Sequence, residues 1–323
     1  MKKKEINLLL IGIGVFTLLF IFNAGYSSQR KIPTILVCPK TLASSFWLTV
    51  RAGAYAAGKE FGAKIIWKGP AVETDIAGQI AIIEDYRNKK VDAIALAACD
   101  IKALIAPVKK AINASIPVVS FDSGLDPDPT LSLIATDNLL GGKQAGEVLV
   151  RLIGGKGQVA CIPYISGAST SMLREKGFKE VIAKYPDIKL VAIQYSESDV
   201  AKAMAVTENI LTANPNLSGI FAGNEPGAIG AAQAIRARGL AGKVKLVAFD
   251  ASPVEIEMLQ NGTIQALIVQ NPYNMGYLAV KACVDAFNGR KVPKRIDTGV
   301  TVVSMDNFFE PQIQKILYPL ANN

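Results

Sequence analysis

Short apolar runs alternate with stretches of helical period along most of the chain. The helical stretches include 75–87, where Ile76, Ile80 and Ile83 share one face, and 172–185, where Met172, Phe178 and Ile182 are expected to face inward. The apolar runs are rich in β-branched residues and read PTILVC, AKIIW, VDAIALA, IPVVSF, GQVACI, IKLVAIQ, LSGIFA, VKLVAF and IQALIV. Strands that alternate with helices predict βαβ units and parallel sheets covered on both faces.

The runs divide into two sets. A first set of about five strands ends near Thr136, and a second begins near Gly157 after a helix that opens at Asp137. The sequence therefore predicts an α/β fold with two doubly wound, Rossmann-like lobes. A chain of 323 residues, half of them hydrophobic, can bury two such cores.

The first 28 residues have the composition of an export signal. Three lysines, at positions 2–4, precede an uncharged stretch whose most apolar part covers 6–22. That part is about long enough to span a bilayer, so cleavage and retention as an anchor both stay open. No cysteine follows it, so a lipoprotein anchor is unsupported. We expect an exported protein, periplasmic or at the cell surface, that contacts the membrane only through this segment.

Composition excludes several kinds of chemistry. Histidine is absent, which removes Ser-His-Asp and Cys-His catalytic arrangements and imidazole metal sites. The four cysteines (38, 99, 161 and 283) form no CxxC and lie in or beside apolar runs, which is typical of buried thiols; a Cys38–Cys99 disulfide is the alternative. We expect no enzyme activity, catalytic residue, metal or cofactor.

The positive charge does not indicate nucleic-acid binding. Of the formal net charge of +8, the three lysines and Glu5 of the leader account for +2, which leaves +6 for the rest. The remaining lysines and arginines are scattered over amphipathic helices, without the clustering and interleaved aromatic residues of a nucleic-acid surface.

Polar and aromatic residues follow the predicted strands, where open parallel sheets bind ligands. Carboxylates and amides at these positions can bind hydroxyl groups, and an aromatic face can cover the apolar side of a sugar ring. We therefore expect a sugar site in the cleft between the lobes. The candidate ligand-binding residues are Lys40, Ser44, Phe46, Trp47, Asp122, Ser171, Met172, Asn224, Glu225, Asp250 and Gln270.

Each candidate also has a structural alternative. Asp122, Asp250 and Glu225 could cap the helices that follow them. Phe46 and Trp47 are adjacent on a helix and point in different directions, so one of them is expected in the core. Lys40 follows an apolar strand directly, where a lysine needs a partner.

Several motifs in order resemble the periplasmic sugar-binding proteins of the ribose-binding type. They are FDS at 121–123, ATDNLLGGKQAGE at 135–147, LREKGF at 173–178, LTANPNLSGIFAGNEPGAIGAAQAI at 211–235 and VAFDASP at 247–253. The resemblance implies a type I periplasmic-binding fold with three crossovers, near Thr136, Gln270 and Thr301. The lobes would then be 29–136 plus 271–300, and 137–270 plus 301–323 including the tail.

The resemblance also bears on individual positions. Phe46, Trp47, Asp122, Asn224, Asp250 and Gln270 match the family's ligand-binding types, whereas Met172 stands where the ribose type has an arginine, Ser198 where it has an aromatic residue and Ala97 where it has an asparagine. The segment CPKTLASSFW looks more like the rhamnose and autoinducer-2 branch, in which a lysine matching Lys40 contacts ligand. These differences make D-ribose itself doubtful as the ligand.

The resulting hypothesis is a solute-binding protein that captures a pentose, hexose, deoxyhexose or autoinducer-2-like furanose and delivers it to the membrane subunits of an ABC importer. The alternative is a sensor subunit that presents the sugar to a chemoreceptor or histidine kinase. A repressor of the lactose type is disfavoured because only about 31 residues precede the first lobe. Glycosidase chemistry would need two suitably spaced carboxylates, which the sequence does not establish.

Overall fold

A computed structural model describes residues 31–320. The predicted leader over 1–28, with its apolar part at 6–22, lies outside the described residues. No helix within 31–320 is both long and apolar enough to cross a bilayer.

Strands and helices alternate along the described chain, as the apolar pattern predicts. In the first half the elements are β1 (Thr34–Cys38), α1 (Ser45–Phe61), β2 (Lys64–Trp67), α2 (Ile76–Asn88), β3 (Ala93–Leu96), α3 (Ile105–Asn113), β4 (Val118–Phe121) and β5 (Leu133–Ala135). The second half contains α4 (Asn138–Leu152), β6 (Gly157–Ile162), α5 (Ser169–Ile182), β7 (Ile188–Ile193), α6 (Val200–Ala213), β8 (Leu217–Ala222), α7 (Glu225–Ala237), β9 (Lys245–Phe249), α8 (Pro253–Gln260), β10 (Ala266–Val269), α9 (Pro272–Phe287), β11 (Arg295–Asp297), β12 (Thr301–Val303) and α10 (Pro311–Leu317).

The strands form two six-stranded sheets, one in each lobe. The first has the order β11-β5-β4-β3-β1-β2 and is parallel throughout. The second has the order β12-β10-β9-β8-β6-β7 and is parallel except for the edge strand β12. This arrangement confirms the predicted α/β fold with two doubly wound lobes.

Each sheet is buried on both faces. In β1 the side chains of Ile35 and Val37 join one apolar cluster, with α1 and α9, and those of Leu36 and Cys38 join another, with α2 and α3. In β10, Leu267 and Val269 belong to one apolar cluster, and the residues that alternate with them belong to another. Because successive strand residues point to opposite faces, two covered faces require a nearly continuous apolar strand.

The chain passes between the lobes three times. It crosses at 136–137, returns at 270–271 between β10 and α9, and crosses again at 298–300 between β11 and β12. The first and third crossovers touch, since Thr136 Oγ1 donates to the carbonyl oxygen of Gly299 at 3.2 Å. Together they form a narrow hinge region.

One helical detail differs from the prediction. Met172 does not face inward on α5 but is 45% exposed, because the buried face of this helix runs through Ser171, Arg174 and Phe178. That spacing of three and four residues is the period of the helix, and Met172 lies off it.

The four cysteines are free and buried, so the Cys38–Cys99 disulfide is not formed. Burial raises the pKa of the Cys38 thiol to about 12 and also raises that of Cys161 and Cys283. We therefore expect no thiol of the native protein to react rapidly with Ellman's reagent at pH 8, and four to react in denaturant. A count of two in denaturant without reductant would contradict the free state.

Candidate functional site

A cavity of about 590 Å³ lies between the lobes and is lined by residues from both. Its volume is within the range of small-molecule sites, about 300–1,000 Å³. Seven residues of the wall lie within three positions of the end of a strand: Lys40 after β1, Asp122 after β4, Tyr164 after β6, Asn224 and Glu225 after β8, Asp250 after β9 and Gln270 after β10.

The structure brings nine of the eleven candidate residues to this cavity: Lys40, Ser44, Phe46, Trp47, Asp122, Asn224, Glu225, Asp250 and Gln270. The other two do not line it. Ser171 is buried and its hydroxyl accepts from the backbone N–H of Tyr164 at 3.2 Å, whereas Met172 is directed to the surface.

Two aspartates occupy equivalent places in the two lobes. Asp122 and Asp250 each follow a strand with a positive φ, of 56° and 86°, and each donates its backbone N–H to the neighbouring strand, at Ile134 and Ile268. Aspartate tolerates this left-handed conformation better than most residues. The turn ends the strand and keeps the carboxylate at the cavity wall.

Lys40 neutralises the first of these aspartates. Its ammonium group lies 2.8 Å from Asp122 Oδ2 and donates to the hydroxyls of Ser123 at 3.0 Å and Thr170 at 3.2 Å. Burial lowers the pKa of Lys40, but the charges of Asp122, Tyr164 and Glu73 and the hydrogen bond to Asp122 together outweigh burial and raise that pKa above its ordinary value. Because an ammonium group has three protons, these three partners satisfy it.

Asp250 is held by neighbours within its own lobe. Its Oδ1 accepts from Gln270 Nε2 at 2.7 Å and its Oδ2 from the backbone N–H of Glu225 at 3.0 Å. Burial raises the pKa of Asp250, and the nearby charge of Arg174 opposes the rise. Gln270 Oε1 is buried at the cavity and has no partner among the described residues, so it can accept from a ligand.

The two predicted aromatic residues have different environments. Trp47 is buried in the core of the first lobe, 6.1 Å from the ring of Phe121, and its indole N–H donates to Glu73 Oε1 at 3.3 Å. Phe46 is less buried and meets Trp47 edge to face at 5.0 Å. The expectation that one of the pair belongs to the core fits this arrangement.

Helix caps account for part of the polar lining. Ser44 caps α1 by accepting from Trp47 N–H, and Asn224 caps α7 by accepting from Gly227 N–H. The amide nitrogen of Asn224 is still available to the cleft side, where it donates to Ser198 Oγ at 3.0 Å. Capping and cavity lining are thus combined in the same residues.

Sequence reasoning missed three buried polar residues of the cavity: Glu73, Tyr164 and Arg174. Glu73 and Tyr164 follow β2 and β6, so the strand-end rule could have found them. Arg174 belongs to the LREKGF motif, and the helical period marks it as inward-facing. The site therefore contains an arginine, two residues after Met172, although the resemblance to the ribose type predicts that this chain lacks one there.

Arg174 is fixed by several contacts. It donates from Nε to Asn138 Oδ1 and from Nη1 to the carbonyl oxygen of Gly223, both at 2.8 Å, and its guanidinium lies 3.6 Å from the ring centre of Phe249. Stacking and fixed hydrogen bonds preorganise the planar group beside the cavity. Within residues 31–320, Nη2 of Arg174 donates no hydrogen bond, so its protons remain available.

Comparison with known proteins gives the same fold and a consistent ligand class. Residues 35–291 match a family model described as a periplasmic binding protein domain. The D-allose-binding periplasmic protein of Escherichia coli is 32% identical over 78% of this chain and 84% of its own length. The D-ribose/D-allose-binding protein of Pseudomonas aeruginosa is 32% identical over 86% and 89%.

Solved structures extend this likeness. An ABC transporter solute-binding protein from Agrobacterium vitis with bound D-fucose has a TM-score of 0.85 and 39% identity, and covers 88% of this chain and 100% of its own. A second protein from that organism, with α-D-tagatopyranose, has a TM-score of 0.85 and 34% identity over 89% and 99%. These proteins are sugar-binding transport proteins, not enzymes, which confirms the prediction that the chain is not an enzyme.

The positions of Arg174 and Met172 make a matched pair for a stability test. Arg174→Met would leave the acceptors of Asn138 and Gly223 unpaired in a buried site, at a cost of about 1–3 kcal/mol each. Met172→Gln changes an exposed side chain and should alter stability by less than about 0.5 kcal/mol. Urea unfolding followed by circular dichroism measures both, and equal effects would contradict the assigned orientation of α5.

Proposed function

Since this chain belongs to the periplasmic binding protein domain family, we propose that its cleft captures one neutral monosaccharide, a pentose, hexose or deoxyhexose, and delivers it to an ABC importer. The observation that carries the proposal is the cavity between the lobes, in which carboxylates and amides from four strand ends and the guanidinium of Arg174 on α5 converge beside Phe46. The names of the relatives, which include allose, ribose and fucose, support this ligand class.

The side chains suit a polyhydroxylated ring. Asp122 and Asp250 offer carboxylate oxygens, Gln270 offers an unpaired amide oxygen, and Arg174 offers guanidinium donors. Hydrogen bonds of a neutral hydroxyl to such charged groups are each worth about 1.5–3 kcal/mol. The half-buried ring of Phe46 supplies an apolar face for the C–H side of the sugar.

The proposed mechanism is closure of the lobes about the sugar. A ligand that contacts both lobes binds the closed form better than the open form, so it shifts the population toward closure. The hinge consists of the three crossovers. In this structure the two lobes contact each other directly across the cleft, for example through the hydrogen bond from Lys40 to Thr170. The closed complex is then the form that docks on the importer.

Membership of the family implies an exported, periplasmic protein. We propose that the segment 1–28 directs this export, with 6–22 as its apolar core. Assignment to the rhamnose and autoinducer-2 branch stays a prediction that rests on Lys40.

The proposal is tested by isothermal titration of the purified protein against D-allose, D-ribose, D-fucose, D-arabinose, D-tagatose, L-rhamnose and autoinducer-2. We expect at least one monosaccharide to bind one to one with a dissociation constant below about 10 μM. Asp250→Ala should weaken the binding free energy of that sugar by about 2–4 kcal/mol. Binding no tighter than millimolar across the panel would refute the proposed function, and unchanged affinity in Asp250→Ala would remove this residue from the site.

The role of Lys40 can be separated from that of Asp122 by a double-mutant cycle. If Lys40 acts by holding Asp122, Lys40→Met weakens sugar binding in the wild type but adds little in an Asp122→Asn background. Titration with the sugar that binds best measures both steps. Additive losses would instead indicate direct contact of Lys40 with the ligand, as in the rhamnose and autoinducer-2 branch.

A further inference from the structure

Two carboxylates, one in each lobe, accept hydrogen bonds from the opposite lobe across the cleft. Glu225, the first residue of α7 in the second lobe, accepts from the backbone N–H groups of Ser45 at 3.2 Å and Phe46 at 3.1 Å, at the start of α1 in the first lobe. Glu73, in the first lobe, accepts from the hydroxyl of Ser198 in the second at 3.0 Å. Both carboxylates are buried where the lobes meet.

The start of α1 is completed by the other lobe. The first N–H groups of a helix have no partner within the helix, and they carry the positive end of its dipole. The first turn of α1 contains no acidic residue, and its own cap, Ser44, takes only the N–H of Trp47. The N–H groups of Ser45 and Phe46 are therefore bound by Glu225, which brings a negative charge from across the cleft.

Glu225 is held rigidly in its own lobe. Its backbone N–H donates to Asp250 Oδ2 at 3.0 Å, Asn224 caps the helix that it begins, and Pro226 follows. The backbone of Glu225 thus needs little reordering when the lobes close, which lowers the entropic cost of the contact.

We propose that Glu225 is a positioning residue that clasps the two lobes by capping α1 across the cleft, and that this contact prolongs the time for which the closed protein retains its sugar. The inference rests on the proposed function, since it concerns closure about a bound ligand. It assigns Glu225 a role in closure that is separate from any hydrogen bond to the sugar.

The clasp has a proton linkage whose sign can be stated. Burial raises the pKa of Glu225 above its ordinary value of 4.5 in the closed form; the hydrogen bonds from Phe46 and Ser45 oppose this rise, and the charge of Asp250 adds to it. An opened cleft returns the carboxylate to water and to its ordinary pKa. The closed form therefore binds the proton more tightly, so sugar binding takes up protons and affinity rises as pH falls from neutrality toward 4.5.

Other charged groups near the clasp titrate too. Asp250, from the loop after β9, and Glu255, from α8, both have pKa values raised mainly by burial, and Arg174 lies near Asp250. Across the cleft, Glu73 and Lys40 line the same cavity, and α1 presents to Glu225 its first backbone N–H groups and the hydroxyl of Ser45. The contribution of Glu225 to the pH dependence of sugar affinity is therefore measured as the difference between the wild type and a variant that cannot ionise at this position.

The test is stopped-flow kinetics with the panel sugar that binds the wild type most tightly. Glu225→Ala removes both hydrogen bonds across the cleft and should raise the dissociation rate constant about tenfold, with the association rate constant changed by less than about threefold. Glu225→Gln is neutral, like the protonated carboxyl group that the closed form prefers, and keeps one acceptor oxygen, so at pH 7.5 its dissociation rate constant should be no higher than that of the wild type. Its affinity should vary less with pH between 7.5 and 5 than that of the wild type.

The control is Glu84→Gln, an exposed glutamate paired with Lys110 on the surface of the first lobe, which should behave as the wild type in both measurements. A wild-type dissociation rate in Glu225→Ala, or an unaltered pH dependence in Glu225→Gln, would overturn the clasp while leaving the proposed function intact. Failure of the wild type to bind any panel sugar would overturn both.

Discussion

Parallel strands end at the same edge of their sheet, and in this chain two such edges face one cavity. Six strand ends deliver Lys40, Asp122, Tyr164, Asn224, Asp250 and Gln270 to its wall. Both aspartates use the same left-handed turn to leave the strand, which gives the two lobes matching halves of the site. The positions of the helices, the hinge and the polar network all follow from the fact that these two sheet edges face each other.

The cost of burying charge explains how the wall is organised. A buried carboxylate needs a counter-charge or several donors, because its desolvation is otherwise expensive. Asp122 is paired with Lys40, Asp250 accepts from Gln270 and from a backbone N–H, and Glu225 takes two backbone N–H groups across the cleft. Of the partners named here, those of Glu225 come from the opposite lobe. The contacts that stabilise this charge therefore also hold the two lobes together.

The architecture could be predicted from the sequence because strands buried on both faces are continuous apolar runs; seven of the nine predicted strands are mostly buried, and the edge strands β2 and β7 are partly buried but still apolar enough to be predicted. Short edge strands lack that signal: β11 and β12 have three residues each and only partial burial. The rule that ligands bind after strands predicted nine residues that the structure brings to one cavity. Sequence reasoning did not apply that rule after β2, and so overlooked Glu73.

The errors on α5 have a more specific cause. The resemblance matches Met172 to a family arginine, whereas the helical period places Ser171, Arg174 and Phe178 on the buried face. Contacts across the cleft, such as those of Glu225 with α1, could not be predicted at all. They join residues about 180 positions apart, and their existence depends on how two separately folded lobes meet.

The central claim is that a sugar draws the two lobes together. Small-angle X-ray scattering during titration with the best panel sugar measures this most directly. The account predicts a decrease in the radius of gyration that saturates at one sugar per protein, in step with the calorimetric isotherm. A sugar that binds tightly at the cleft while the scattering profile stays unchanged would contradict it.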